Sequence, residues 1–265
     1  GVRMITGISL PKKINLREKR MSIISKYMSE NEQVGIQYAS KYRDISNSWK
    51  KWQGILNGVE KFQAISKKES LENQFEQWIA ANPDKQKTYG GLLKGMKELY
   101  EQLSLFLLAY EYSGENILAT EIVNFAYDIR SFFSDNKTLT EEEKTANRDL
   151  FLKKINRFFK DYNESIDLEV FEFMLRSYYT DIDPAFYPDI YKTIKKKYKG
   201  DFGKFARITM DKTILTSEYK ITELFSSYPE NESHIFSVIL NDPVYQVLLS
   251  YSSVYNAVII SQYEF

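Results

Sequence analysis

The feature that most constrains this chain is how seldom it can turn. Only eleven glycines and six prolines are spread over 265 residues. They fall between long segments whose apolar residues recur with the 3.6-residue period of an α-helix. The pattern predicts an all-α protein, an irregular multi-helix array with no sheet. Successive helical segments show no self-similarity at about 34 or 40 residues, so the common helical repeats are disfavoured. No stretch rich in Gly, Ser or Pro divides the chain, and residues 1–265 are expected to form one compact helical domain.

The few breaks carry recognisable end signals. Asn82-Pro83-Asp84 separates a helix bearing Leu71, Phe75, Trp78 and Ile79 from one bearing Leu92 to Leu107. Pro83 suits a first turn, where its missing N–H has no helical use. Ser113-Gly114-Glu115 is expected to end that second helix, and Ile117 to Phe133 to form the next. Thr140 and Glu143 have the spacing of a capping box, which makes Glu141 to Glu143 a helix start rather than a carboxylate site. Lys199-Gly200-Asp201 combines a glycine stop with an N-cap.

One segment stands out, Tyr38 to Lys61, YASKYRDISNSWKKWQGILNGVEK. Val34, Tyr38, Tyr42, Ile45, Trp49, Trp52, Leu56 and Val59 follow at steps of three and four, the spacing of one helix face, and are expected to pack inward. At about 100° per residue Asn47 lies opposite that stripe, with Ser40, Gly54 and Gly58 close to its line. Two glycines inside a helix cost about 1 kcal/mol each relative to alanine, so something should approach the backbone there. Either a second helix packs tightly across Gly54 and Gly58, or this face lines a groove for a ligand or partner in which Asn47 supplies the hydrogen bond.

Charge and composition exclude several functions. Thirty-six basic and thirty-six acidic residues cancel, leaving no field to draw the chain onto nucleic acid or an anionic membrane. The basic clusters Lys12 to Arg20 and Lys192 to Lys199 are read as solvated helix faces. With no cysteine there is no disulfide or thiolate chemistry, and with one histidine only an all-oxygen metal site is chemically reasonable. No calcium-type loop is present, and neither a metal nor a cofactor is expected. The longest apolar run, Leu103 to Tyr110, falls far short of the roughly 20 residues that span a bilayer.

Catalytic patterns are equally absent. His234 lies in Ser233-His234-Ile235-Phe236 with no nucleophile elbow nearby and is read as a surface or helix-end residue. Gly90, Gly91 and Gly95 lack the lysine and hydroxyl of a phosphate loop. Twenty tyrosines and seventeen phenylalanines fall mostly at apolar helical positions and predict an aromatic-rich core. The chain starts without methionine and ends inside an apolar helical pattern, Asn256 to Phe265, and is read as a fragment of a larger protein.

Three segments resemble a known family. They are Tyr38 to Lys50, YASKYRDISNSWK, then Ile79 to Leu92 with Asn82-Pro83-Asp84 and Lys87-Thr88-Tyr89-Gly90, and above all Tyr178 to Ala206, YYTDIDPAFYPDIYKTIKKKYKGDFGKFA. Together with Asn241-Asp242-Pro243 they are similar, in order, to bacterial serine exopeptidases of the dipeptidyl-peptidase 7 and dipeptidyl-peptidase 11 type. The likeness is weak from Glu111 to Asn147. Such enzymes insert a large helical domain into a chymotrypsin-like double barrel. The resemblance implies that this chain is that cap domain, that its partners are a peptide substrate and the double-barrel catalytic domain, and that no catalytic residue lies within it. It also implies a periplasmic or cell-surface location in a bacterium. In the family the asparagine of an Asn-x-Trp-Lys segment helps hold the substrate's free amino terminus, which would be Asn47 here, followed by Ser48 where relatives usually carry an aromatic. Ser40, Gly54 and Gly58 would then share the cleft face. The alternative is a non-enzymatic helical adaptor that binds a partner through its aromatic surface.

Overall fold

A computed structural model describes residues 2–263, with side chains described for 3–256; Gly1, Glu264 and Phe265 lie outside it. Among the described residues every regular element is helical. Helix α1 (Val2–Met4) passes through a π-helical turn, Ile5–Ser9, into α2 (Leu10–Glu30), and Asn31 reverses the chain. Asn31 is extended and its side chain accepts from the Val34 N–H at 3.2 Å, capping α3 (Glu32–Lys61), which packs back along α2.

Next come α4 (Ala64–Ala80), α5 (Pro83–Tyr89) and α6 (Leu92–Glu115). As the sequence predicted, Asn82 caps α5, accepting from the Lys85 N–H, with Pro83 in the first turn. The predicted helix over Ile117 to Phe133 is split: Ile117–Ala119 is a 3₁₀ turn, and α7 runs Glu121–Asn136. The reason is a buried carboxylate. Asp167 accepts from the backbone N–H of Glu121 at 2.6 Å and of Ile122 at 2.8 Å, so the first turn of α7 starts where those donors are satisfied.

Helix α8 (Glu141–Lys160) begins with the expected capping box of Thr140 and Glu143. Helix α9 (Glu164–Asp181) carries Asp167 and leads through a 3₁₀ turn, Pro184–Phe186, to α10 (Ile190–Tyr198). Lys199 and Gly200 take left-handed conformations, and the Gly200 N–H reaches back to the Ile194 carbonyl at 3.2 Å. Asp201 then caps α11 (Phe202–Lys212), followed by α12 (Glu218–Ser226), α13 (Glu232–Leu240) and α14 (Pro243–Tyr263).

The core is rich in rings, as the composition predicted. Phe125, Phe132, Phe151, Phe225 and Tyr228 join α7, α8, α12 and the turn that follows α12, with Phe125 and Phe158 stacked at 4.4 Å. The Tyr178 to Ala206 segment also proves structural. Tyr191 donates to the Leu175 carbonyl at 2.8 Å, Tyr178 to the Phe186 carbonyl at 3.1 Å, and Tyr178 packs edge-on to Tyr251. Asn241-Asp242-Pro243 has an equally local task. The buried Asp242 carboxylate accepts from Thr213 Oγ1 and from the N–H groups of Ile214, Val244 and Tyr245, tying the end of α11 to the start of α14.

The core stops short of one region. From residue 47 to residue 108 only Ile79 is buried, so the second half of α3, with α4, α5 and the first part of α6, forms an arm beyond the main body. Its side chains Phe62, Leu71 and Leu99 are 66%, 59% and 56% exposed. A small aromatic group braces it: Phe75 stacks on Trp78 at 5.9 Å, and Tyr89 lies against both.

Candidate functional site

The site begins with the orientation of α3. Tyr38 and Ile45 of the predicted stripe are buried, and Val34, Tyr42, Trp49, Trp52, Leu56 and Val59 are partly buried. The stripe therefore faces inward as expected, but burial falls off as the helix leaves the core. Tyr38 is anchored by donors on both sides, its hydroxyl accepting from the Asn163 N–H at 3.1 Å and its ring lying under Lys41 at 4.3 Å. Burial, with Glu121 and Asp167 close by, pushes the Tyr38 hydroxyl far above its ordinary range, so it stays protonated.

The two tryptophans differ from expectation. Instead of filling a closed core, Trp52 is covered from one side by the cations of α2, with Lys13 at 4.8 Å and Arg17 at 4.4 Å from the ring. Lys13 and Arg17 are in turn held by Glu111 and Glu115 of α6; Arg17 makes a forked pair at 2.9 and 3.0 Å. This ionic layer fixes α3 against α2 and α6 at the root of the arm. Trp49 Nε1 is buried beside it with no hydrogen-bond partner among the described residues.

Asn47 projects from the opposite side and is exposed, and its amide makes no hydrogen bond among the described residues. Ser40 is also exposed, its hydroxyl accepting from Arg43 at 3.0 Å. Gly54 is exposed and Gly58 partly so, and a methyl group built on either would meet nothing within 4 Å. No second helix of this chain packs across the two glycines, which removes the structural reading of them within the described residues. What remains is a smooth, open helix face with one free amide at its centre.

His234 is exposed on α13. Among the described residues no three His, Asp or Glu side chains are grouped to hold a metal ion, and no helix is long and apolar enough to cross a membrane. One feature escaped sequence reasoning: a cleft between α6, α7 and α14 in which Arg130 donates to Ser252 Oγ at 2.7 Å. Arg130 and Ser252 are 122 residues apart in the chain, and no local pattern links them.

The Peptidase S46 family profile matches residues 1–258, and the chain belongs to that family. An Asp/Glu-specific dipeptidyl-peptidase of Flavobacterium psychrophilum is 31% identical over 71% of this chain. A dipeptidyl-peptidase 7 of Porphyromonas endodontalis is 28% identical over 89% of it. The chain spans only 26% and 28% of those two proteins. The crystal structure of Porphyromonas endodontalis DPP11 in complex with the dipeptide Arg-Glu superposes over 98% of this chain and 36% of that one, with a TM-score of 0.67 at 20% identity, which shows a shared fold.

Proposed function

We propose that this chain is the helical cap of a serine dipeptidyl-peptidase that releases dipeptides from peptide amino termini, and that Asn47 receives the substrate's ammonium group. The observation that carries the reading is the free, outward Asn47 amide on a helix face cleared by Gly54 and Gly58. An exopeptidase must recognise a cationic α-amino group. A side-chain carbonyl can accept one of its N–H bonds while a carboxylate elsewhere balances the charge. A cap closing over that terminus limits how much peptide lies beyond the scissile bond, so cleavage two residues in follows from geometry. The relatives' names, and the dipeptide held by the DPP11 of Porphyromonas endodontalis, support a peptide substrate.

In this reading the nucleophile, base and oxyanion hole belong to a double-barrel domain outside these residues, and the enzyme works in the periplasm or at the cell surface. The exposed apolar arm over residues 47–108 is the surface on which that domain would rest. The test compares the 265-residue chain with the longer enzyme on dipeptidyl-naphthylamides. The short chain should fold without turnover, and the longer one should cleave and be silenced by a serine-directed inhibitor. Turnover by the pure short chain, insensitive to that inhibitor, would overturn the assignment.

A further inference from the structure

The cleft between α6, α7 and α14 has a volume of about 410 Å³, within the range of small-ligand sites. Of its lining residues Arg130 alone is charged. The neighbouring carboxylate on the same helix, Asp128, is engaged by Lys154 at 2.8 Å, and Arg130 has no carboxylate at ion-pair distance among the described residues. Its guanidinium carries five N–H donors, and its one hydrogen bond among the described residues goes to the neutral Ser252 hydroxyl. Ser131 and Ser134 also line the cleft, together with the apolar Ile117 and Leu248. Tyr255 closes one side, braced by stacking on Tyr110 at 5.2 Å.

We propose that this cleft is a carboxylate-binding site for a peptide, with Arg130 as the fork, the serine hydroxyls as flanking donors and Ile117 and Leu248 taking an adjacent apolar side chain. A planar carboxylate matches a single guanidinium in two parallel bonds. A phosphate dianion would leave half its charge unbalanced in a cleft with one cation. The site is built by α6, α7 and α14 and uses no residue of the Asn47 face, so it stands independently of the cap assignment. The carboxylate can come from a peptide's carboxyl terminus or from an Asp or Glu side chain, and the two are separable.

The experiment titrates the 265-residue chain by calorimetry with four probes: acetyl-Ala-Phe-Ala-Gln with a free carboxyl terminus, acetyl-Ala-Phe-Ala-Glu amide, acetyl-Ala-Phe-Ala-Gln amide and inorganic phosphate. Binding of either or both carboxylate peptides, about ten-fold or more above the uncharged amide and above phosphate, is expected, and which of the two binds identifies the source. Arg130→Gln should abolish that difference with the melting temperature unchanged, and Arg130→Lys should retain part of it, because the charge survives without the fork. The proposal is overturned if neither carboxylate peptide binds better than the amide, if phosphate binds as well as they do, or if Arg130→Gln binds like the parent. Should Arg130→Gln unfold, Arg130→Lys decides: undiminished affinity contradicts a forked contact.

Discussion

Gly54→Ala and Gly58→Ala separate a structural from a functional reason for two glycines inside one helix. Both lie within α3, and a Cβ at either position meets no atom within 4 Å. The substitution therefore adds no clash and removes unfolded-state freedom, worth about 0.5 to 1 kcal/mol per site. The sites are one helical turn apart without a shared contact, so the double variant should gain about 1 to 2 kcal/mol. In a chain of this size that raises the melting midpoint by roughly 2 to 6 °C. Thermal unfolding of the 265-residue chain, followed by circular dichroism, measures it. Larger side chains, Gly54→Phe and Gly58→Phe, should leave the isolated chain folded yet impair peptide turnover in the longer enzyme, as the proposed cleft-facing role of this face requires. A loss of stability in the alanine variants would refute the reasoning, since it would mean that something of this chain packs on those positions.

Asp242→Ala removes the acceptor that serves Thr213, Ile214, Val244 and Tyr245, and should cost about 2 to 4 kcal/mol in a denaturant titration, with several donors left buried. Asp167 is wholly buried, and that burial, reinforced by Glu121, raises its carboxyl to about 7. The unfolded chain releases this proton near pH 4 while the folded chain holds it. The contribution of Asp167 to stability is therefore full below the unfolded value and is lost as pH rises to about 7. Asp167→Asn should flatten that part of the fall in stability between pH 4 and 7, measured by thermal melts across that range.

Much of the fold was legible because helix signals are local. Asn82-Pro83, Thr140 with Glu143, and Lys199-Gly200-Asp201 act within a turn, and each sits where the sequence placed it. The break at Thr120 was not legible, because its cause is Asp167, an acceptor on another helix. The stripe of α3 gave the direction of each side chain but not its depth. Periodicity says which way Trp52 points, whereas its partial exposure follows from α3 outrunning the core and from Lys13 and Arg17 covering its ring. Of the candidate site, angles gave the direction of Asn47, Gly54 and Gly58, but not whether a second helix covers the two glycines, which depends on tertiary packing. The Arg130 cleft could not be read, since Arg130 and Ser252 meet only through tertiary packing.

The central claim is that Asn47 reads a free amino terminus, and the most direct test is the ratio of kcat/KM for Asn47→Ala against the parent in the longer enzyme, on matched free and acetylated peptides. Loss of an acceptor for a charged donor is worth about 1.5 to 3 kcal/mol, or roughly ten-fold to a hundred-fold in kcat/KM on the free peptide. Acetylation removes that charge, so the acetylated peptide should be cleaved poorly and no more poorly by the variant. Folding should be unaffected, because the exposed Asn47 side chain leaves no cavity. An equal loss on both peptides, or none on either, would contradict the account.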